Sequence, residues 1–181
     1  MTTSWAYPLT VTQTAEFSDT DIEFYSSNGN LNVLSPDSSD HLRTLKNVLH
    51  LSNATAGDIR QQTYYLNCTG FDFDQIPNSI TGIAVQLNVT RGRVLEKDVQ
   101  LIYQGNVIGN SLVYYHQDIE NHIAVIPNPI YGGDSELWGA TITPAMLADP
   151  TFGVQLRFGS HPFYPHSEVL QVHWVAMQVY G

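Results

Sequence analysis

Residues 83–90 alternate: Ile83, Val85, Leu87 and Val89 are apolar, with Ala84, Gln86, Asn88 and Thr90 between them. Successive side chains of a strand point to opposite faces, so a period of two requires a sheet with one buried side. Ahead of this run, Ile76-Pro77-Asn78-Ser79 is a breaker cluster of the kind that turns a chain between strands. On the far side of that turn, Tyr64, Leu66 and Cys68 alternate in the same way. The stretch 64–90 therefore reads as strand, loop, strand. Other strands have to complete the sheet and cover it, because two strands alone are marginal in water.

Further along, Val99, Leu101 and Tyr103 alternate up to Gln104-Gly105-Asn106, and Val107-Ile108 begins a return, which spells a hairpin. Additional strands are expected at Ser111–Tyr115, at His122–Ile126, and over Phe152, Val154, Leu156 and Phe158. The last, from Val169 to Tyr180, becomes apolar on both sides at Val175-Ala176-Met177, as a central strand does. Tyr131 to Gly139 reads as a glycine-bearing loop that leads into an anchored Trp138. Thr143 caps, Pro144 opens and Pro150 stops one short helix. Leu42, Leu45 and Leu49 share a helical face in Asp40–Leu51, with Asp40 as cap, but Val48–Leu51 suits a strand as well, and both readings stay open. Many short strands with turn signals between them predict an all-β chain. The expected fold is an antiparallel two-sheet β-sandwich, jelly-roll-like, with one short helix.

Residues 1–46 have weaker periodicity. Leu9, Val11 and Phe17 form one short strand candidate and Ile22–Tyr25 another, separated by turn material such as Asn28-Gly29-Asn30 and Ser35-Pro36-Asp37. The expected organisation is an N-terminal arm or extension over 1–46 and a sandwich over 47–181. Aromatics exposed on such an arm are costly unless covered, and they are enriched where partners meet. Trp5, Tyr7, Phe17, Phe24 and Tyr25 are accordingly the expected subunit interface. The alternative, an N-terminal segment folded back onto its own sandwich, stands level with it.

Composition narrows the function classes. Hydrophobic residues make up 43%, enough for a globular core. Charged residues make up only 13%, against about 25% in an average soluble domain, so the surface is built mainly from uncharged polar side chains. A net charge of −10 argues against nucleic acid, whose phosphates require clustered cations. Arg91, Arg93 and Lys97 do lie close together, and they read as a solvated hairpin tip. Acidity also disfavours anionic membranes, and no apolar run approaches spanning length. The first residues do not resemble a signal peptide, so synthesis in a cytoplasm without export by that route is expected. On that expectation the three Asn-x-Thr matches at Asn53, Asn67 and Asn88 carry no meaning.

Reactive chemistry is sparse. The chain has no Gly-x-Ser-x-Gly, phosphate-binding glycine loop or His-Glu-x-x-His, and Cys68 alone can build neither a disulfide nor a cysteine zinc site. His161 and His166, and His116 and His122 around Asp118 and Glu120, have spacings that yield no ligand geometry. Asp19, Asp21 and Glu23 would repel on a strand and could gather calcium oxygens in a loop. They lack the glycine of the helix-loop-helix site, and a solvated acidic edge is the preferred reading. Asp72 and Asp74 are near neighbours but do not by themselves make a glycosidase pair. Tyr114, Tyr115, Tyr131 and Trp138 are candidates for a sugar-stacking platform, although packing is the commoner fate of such residues. No catalytic residue, cofactor or metal is expected.

Several short segments, in order, carry a resemblance: Asn53-Ala-Thr-Ala-Gly-Asp58, Tyr64-Tyr-Leu, Thr69-Gly-Phe-Asp-Phe, Ile76-Pro and Ile80-Thr-Gly-Ile-Ala-Val, then Val99-Gln-Leu-Ile, Tyr131-Gly-Gly, Leu137-Trp-Gly, Thr143-Pro-Ala and Phe152-Gly-Val. Over residues 47–181 the chain resembles a sandwich module of bacteriophage virion proteins, of head-decoration or tail-fibre type. The resemblance implies a non-enzymatic scaffold or binding surface located in the virion. It implies no catalytic residue. The expected function is a capsid-surface cement or decoration protein, or a small tail-associated adaptor, binding other virion subunits and its own copies. The alternative is a carbohydrate-binding module that contacts a glycan of the host envelope.

Overall fold

The computed structural model describes residues 1–17, 21–44, 48–53, 57–90, 94–113, 128–160 and 166–181. In chain order the strands are β1 (Pro8–Thr14), β2 (Phe24–Tyr25), β3 (Leu42–Thr44), β4 (Val48–Asn53), β5 (Gly57–Arg60), β6 (Tyr65–Phe71) and β7 (Gly82–Thr90). They continue with β8 (Val94–Tyr103), β9 (Asn106–Ile108), β10 (Ile130–Gly132), β11 (Gly153–Ser160), β12 (His166–Glu168) and β13 (Gln171–Tyr180). The helix α1 (Pro144–Leu147) precedes β11. Thr143 caps it by accepting from the Met146 amide, with Pro144 at its start.

Two five-stranded antiparallel sheets form the body, in the orders β1-β6-β11-β8-β9 and β10-β7-β13-β3-β2. Without the outermost strands β1 and β2, the orders β6-β11-β8-β9 and β10-β7-β13-β3 are those of a jelly roll, two interlocked Greek keys. A three-stranded sheet, β12-β4-β5, is separate from both. The alternation seen in the sequence becomes the core. Val85, Leu87 and Val89 of β7 are buried, as are Leu66 and Cys68 of β6, Val99 and Leu101 of β8, and Val154, Leu156 and Phe158 of β11. The hairpin turn between β8 and β9 has positive φ at both Gln104 (51°) and Gly105 (77°), the twist that two-residue hairpins require.

Residues 1–46 do not stand apart as an arm. Thr3 and Ala6 donate to the carbonyls of Val179 and Met177, each at 2.9 Å, and Met177 donates back to Ala6. The chain then crosses to the other sheet, where β1 pairs with β6 from Pro8↔Phe71 to Thr14↔Tyr65. It returns through β2 and β3 to the sheet it began in. The crossing is locked at the open edge of β1. There the Gln13 side chain bonds both the amide and the carbonyl of Phe24, and Asn32 Oδ1 accepts from the Val11 amide at 2.6 Å. Such contacts occupy edge groups that would otherwise template pairing with another chain.

The helical reading of Asp40–Leu51 is also corrected, since β3 and β4 occupy it. Three leucines at helical spacing are outweighed by the sheet, which takes Leu42 into the core between β2 and β13. Tyr131, expected in a loop, belongs to β10. Residues 111–113 are not strand, and the rest of the expected strand at 111–115 and all of that at 122–126 lie outside the described residues.

A truncation follows from this pairing. Residues 1–46 bury Val11, Ile22, Phe24, Val33, Leu34 and Leu42. Each fully buried large apolar side chain is worth about 1.5–3 kcal/mol, against about 5–15 kcal/mol for a whole domain. Deleting 1–46 is expected to leave a chain with no cooperative unfolding transition, measured by circular dichroism against the full chain.

Candidate functional site

Strand register determines which polar side chains meet on the outer face of the first sheet. Leu66 and Cys68, Val154 and Leu156, and Val99 and Leu101 point inward, so Asn67, Gln155 and Gln100 between them point outward. Gln155 lies opposite Gln100 on one side and Asn67 on the other, and Thr14 lies near Asn67 on β1. Their side chains form one hydrogen-bonded row across four strands. Gln100 Nε2 donates to Gln155 Oε1 (2.7 Å), Gln155 Nε2 to Asn67 Oδ1 (2.7 Å), and Asn67 Nδ2 to Thr14 Oγ1 (3.2 Å). Every bond runs in the same direction, an arrangement in which neighbouring dipoles reinforce one another. An amide has two N–H groups and two carbonyl lone pairs. The internal bonds of Gln155 and Asn67 engage one N–H each and do not use the second. The face is thus an ordered, uncharged array of donors and acceptors.

An ionic clasp closes one end of this face. Arg157, next outward after Gln155 on β11, donates from Nε to Asp98 Oδ2 (2.8 Å) and from Nη1 to Glu16, and its guanidinium lies 4.5 Å from the centre of the Tyr65 ring. Glu16 belongs to the corner after β1. That corner is tied further by Asp21, whose Oδ2 accepts from the Glu16 and Phe17 amides and whose Oδ1 accepts from Gln62. Tyr64 donates its hydroxyl to Glu23 at 3.2 Å. Asp21 and Glu23 therefore serve as acceptors for protein groups, and Asp19 lies outside the described residues. Burial raises the Tyr65 phenol above its usual range, so it stays a neutral ring beneath the guanidinium.

The five aromatics expected at a subunit interface differ in exposure. Phe24 is only 2% exposed and meets Phe158 edge-on inside the core, which removes it from any interface of the folded chain. Tyr7 is half-buried and packs edge-on against Trp174, with ring centres 6.2 Å apart. Trp5 is half-buried, while Phe17 and Tyr25 are exposed.

Of the sugar-platform candidates, Tyr131 and Trp138 are buried, and Tyr114 and Tyr115 lie outside the described residues. Trp138 anchors the loop after β10, as its place behind two glycines suggested. Its Nε1 donates to the Ile83 carbonyl at 2.9 Å, and its carbonyl accepts from the Asn110 amide at 2.7 Å. The backbone at Trp138 has φ of 60°, and a Cβ at Gly132 would fall 2.2 Å from the Ile83 carbonyl oxygen.

Other residues singled out in the sequence have structural partners or lie elsewhere. Asp74 binds the amide and hydroxyl of Ser4. The Cys68 thiol is fully enclosed and pushed by burial up to about 12, the state of an unreactive core sulfur. His116, Asp118, Glu120, His122, His161, Arg91 and Arg93 lie outside the described residues. Among the described residues no group of three or more metal-ligating side chains comes together. No helix among them is long and apolar enough to cross a membrane.

No family model, curated protein or solved structure matches this chain. The resemblance to phage virion modules therefore rests on its sequence motifs.

Trp138→Ala should cost about 3–5 kcal/mol, the usual range for removing a large core side chain. Denaturant unfolding would check this, with a lower midpoint and an unchanged slope as the expected result.

Proposed function

We propose that this chain is a non-enzymatic structural subunit of a bacteriophage virion. It would sit on the capsid surface as a cement or decoration protein, or serve as a small tail-associated adaptor, bound to other virion subunits and to its own copies. The observation that carries the reading is the Gln100–Gln155–Asn67–Thr14 row, a preorganised and uncharged surface on a rigid sheet. Such a surface suits docking through many hydrogen bonds and few ion pairs, in keeping with a chain that has only 13% charged residues. Jelly rolls serve as capsid and lectin domains alike, and a fold by itself does not choose between them. The ordered sequence motifs favour the virion. The same donor–acceptor array would also accept sugar hydroxyls, so a host-glycan module is the alternative. The burial of Tyr131 and Trp138 weakens it, because sugar binding draws on exposed rings.

The test replaces one amide at the centre of the row. Gln155→Lys places a charge in the array and removes an acceptor. Stability should change little, since the position is half-buried on the outer face. Binding to particles that lack the protein should weaken about tenfold to a hundredfold, the equivalent of about 1.4–2.8 kcal/mol. The wild-type chain should stay bound at about 1 M salt, because screening acts mainly on exposed charges. Release of wild type by salt alone, or undiminished binding of the variant, would refute docking through this face. Binding to host glycans without binding to particles would favour the alternative.

A further inference from the structure

Two histidines that the proposed function does not use meet at the β3 end of the second sheet. His41 directly precedes β3. His173 lies in β13 at a bulge, where Val172 pairs with Val89 and Trp174 with Asn88, leaving no residue of β7 opposite it. On the other side of β13, Gln171 pairs with Arg43 and Val172 with Leu42, and the same register brings the His173 ring beside that of His41, with centres 4.7 Å apart and planes tilted by 34°. Among the described residues no further metal-ligating side chain joins them to make a group of three. His173 Nε2 lies 3.0 Å from Thr90 Oγ1 of β7. His41 Nε2 is shut off from solvent and has no hydrogen-bond partner among the described residues.

The charged groups around this pair oppose a further positive charge. Arg43 of β3 faces both rings electrostatically, with its Nη1 donating to Ser27 Oγ at 3.1 Å. Asp40 is the opposing influence at His41, but its carboxylate already accepts from the amides of His41 and Asn28. Thr90 is neutral. β3 lies between β13 and β2, with two residue pairs to each, the reciprocal bonds between Thr44 and Leu170, and Leu42 and Thr44 buried.

We propose that the His41–His173 stack is an acid-released clasp. When neutral, it holds β3, with β2 beyond it, on β13; when protonated, the rings repel each other and Arg43, and this side of the sheet opens. Burial first, and Arg43 next, lower both imidazoles below their ordinary value. An unfolded or opened chain titrates near about 6.5. At pH values above that, both states are neutral and the clasp is intact. As pH falls below it, the open state takes up protons first, so closure weakens progressively until the closed-state values are passed.

The full chain can be tested by NMR between pH 7.5 and 5.5, above the ordinary carboxylate range of about 4. Both imidazoles should titrate below about 6.5. Exchange protection of the Thr44 and Leu170 amides, corrected for intrinsic rates, should fall about tenfold or more across this range. The Leu87 amide in the sheet centre, exposed only by global unfolding, should stay better protected than both at every pH. In His41→Phe, which keeps a ring but cannot be charged, the fall should shrink. Titration of both imidazoles at or above 6.5 would overturn the proposal, as would equal acid sensitivity in His41→Phe. If that variant does not fold, the wild-type titration and exchange decide the question.

Discussion

The structure depends on the backbone pairing of residues 2–6 with the second half of β13. Those bonds complete one sheet where β3 leaves it, and two residues after Ala6 the chain enters β1 and completes the other sheet. One continuous segment thus spans both layers. It lies beside the buried Met177 and Val179 in one sheet and the buried Leu66 and Cys68 in the other. Chain connectivity here adds to the packing of side chains between the two layers. The Gln13 and Asn32 contacts extend this coupling to β2 and the loop behind it.

The sequence made the long strands legible because their signal is local. Val85, Leu87 and Val89 alternate against polar neighbours, and Thr143-Pro144 starts the helix by its own chemistry. The N-terminal segment was obscure because β2 and β3 are only two and three residues long and β1 exposes four of its seven residues. Phe24 reads as an exposed aromatic only until β2 is placed between β3 and the Gln13 clamp. Leu42, Leu45 and Leu49 fit a helical period, and only pairing with β13 selects a strand at Leu42. The polar row had no sequence signature at all. Thr14, Asn67, Gln100 and Gln155 are scattered along the chain, and each merely occupies the outward position of a strand. Register, a property of the whole sheet, brings them into line. The histidine stack was hidden in the same way, since only the register of β3 on β13 brings the two rings together.

Two kinds of order therefore sit on either side of one sheet. Inside, apolar side chains and the Trp138 anchor hold the layers together, with Trp138 bonded to the Ile83 carbonyl of β7 and its loop bonded to Asn110 beyond β9. Outside, amides bonded to one another keep their spare donors and acceptors in fixed directions. A side chain already held by its neighbours loses less entropy on docking, which is why such a row suits assembly despite its lack of charge. The clasp of Arg157, Asp98 and Glu16 fixes the corner that flanks the row, so the face ends in a rigid border.

The central claim is that this sheet face is covered by another virion subunit. Electron cryomicroscopy of purified phage particles tests it most directly. The account predicts density for the jelly roll on the particle, with the strands β1, β6, β11 and β8 turned toward a neighbouring subunit and the Gln100–Gln155–Asn67–Thr14 row within hydrogen-bonding distance of it. Particles without such density, or density in which that face is turned to solvent and another surface makes the contact, would contradict it.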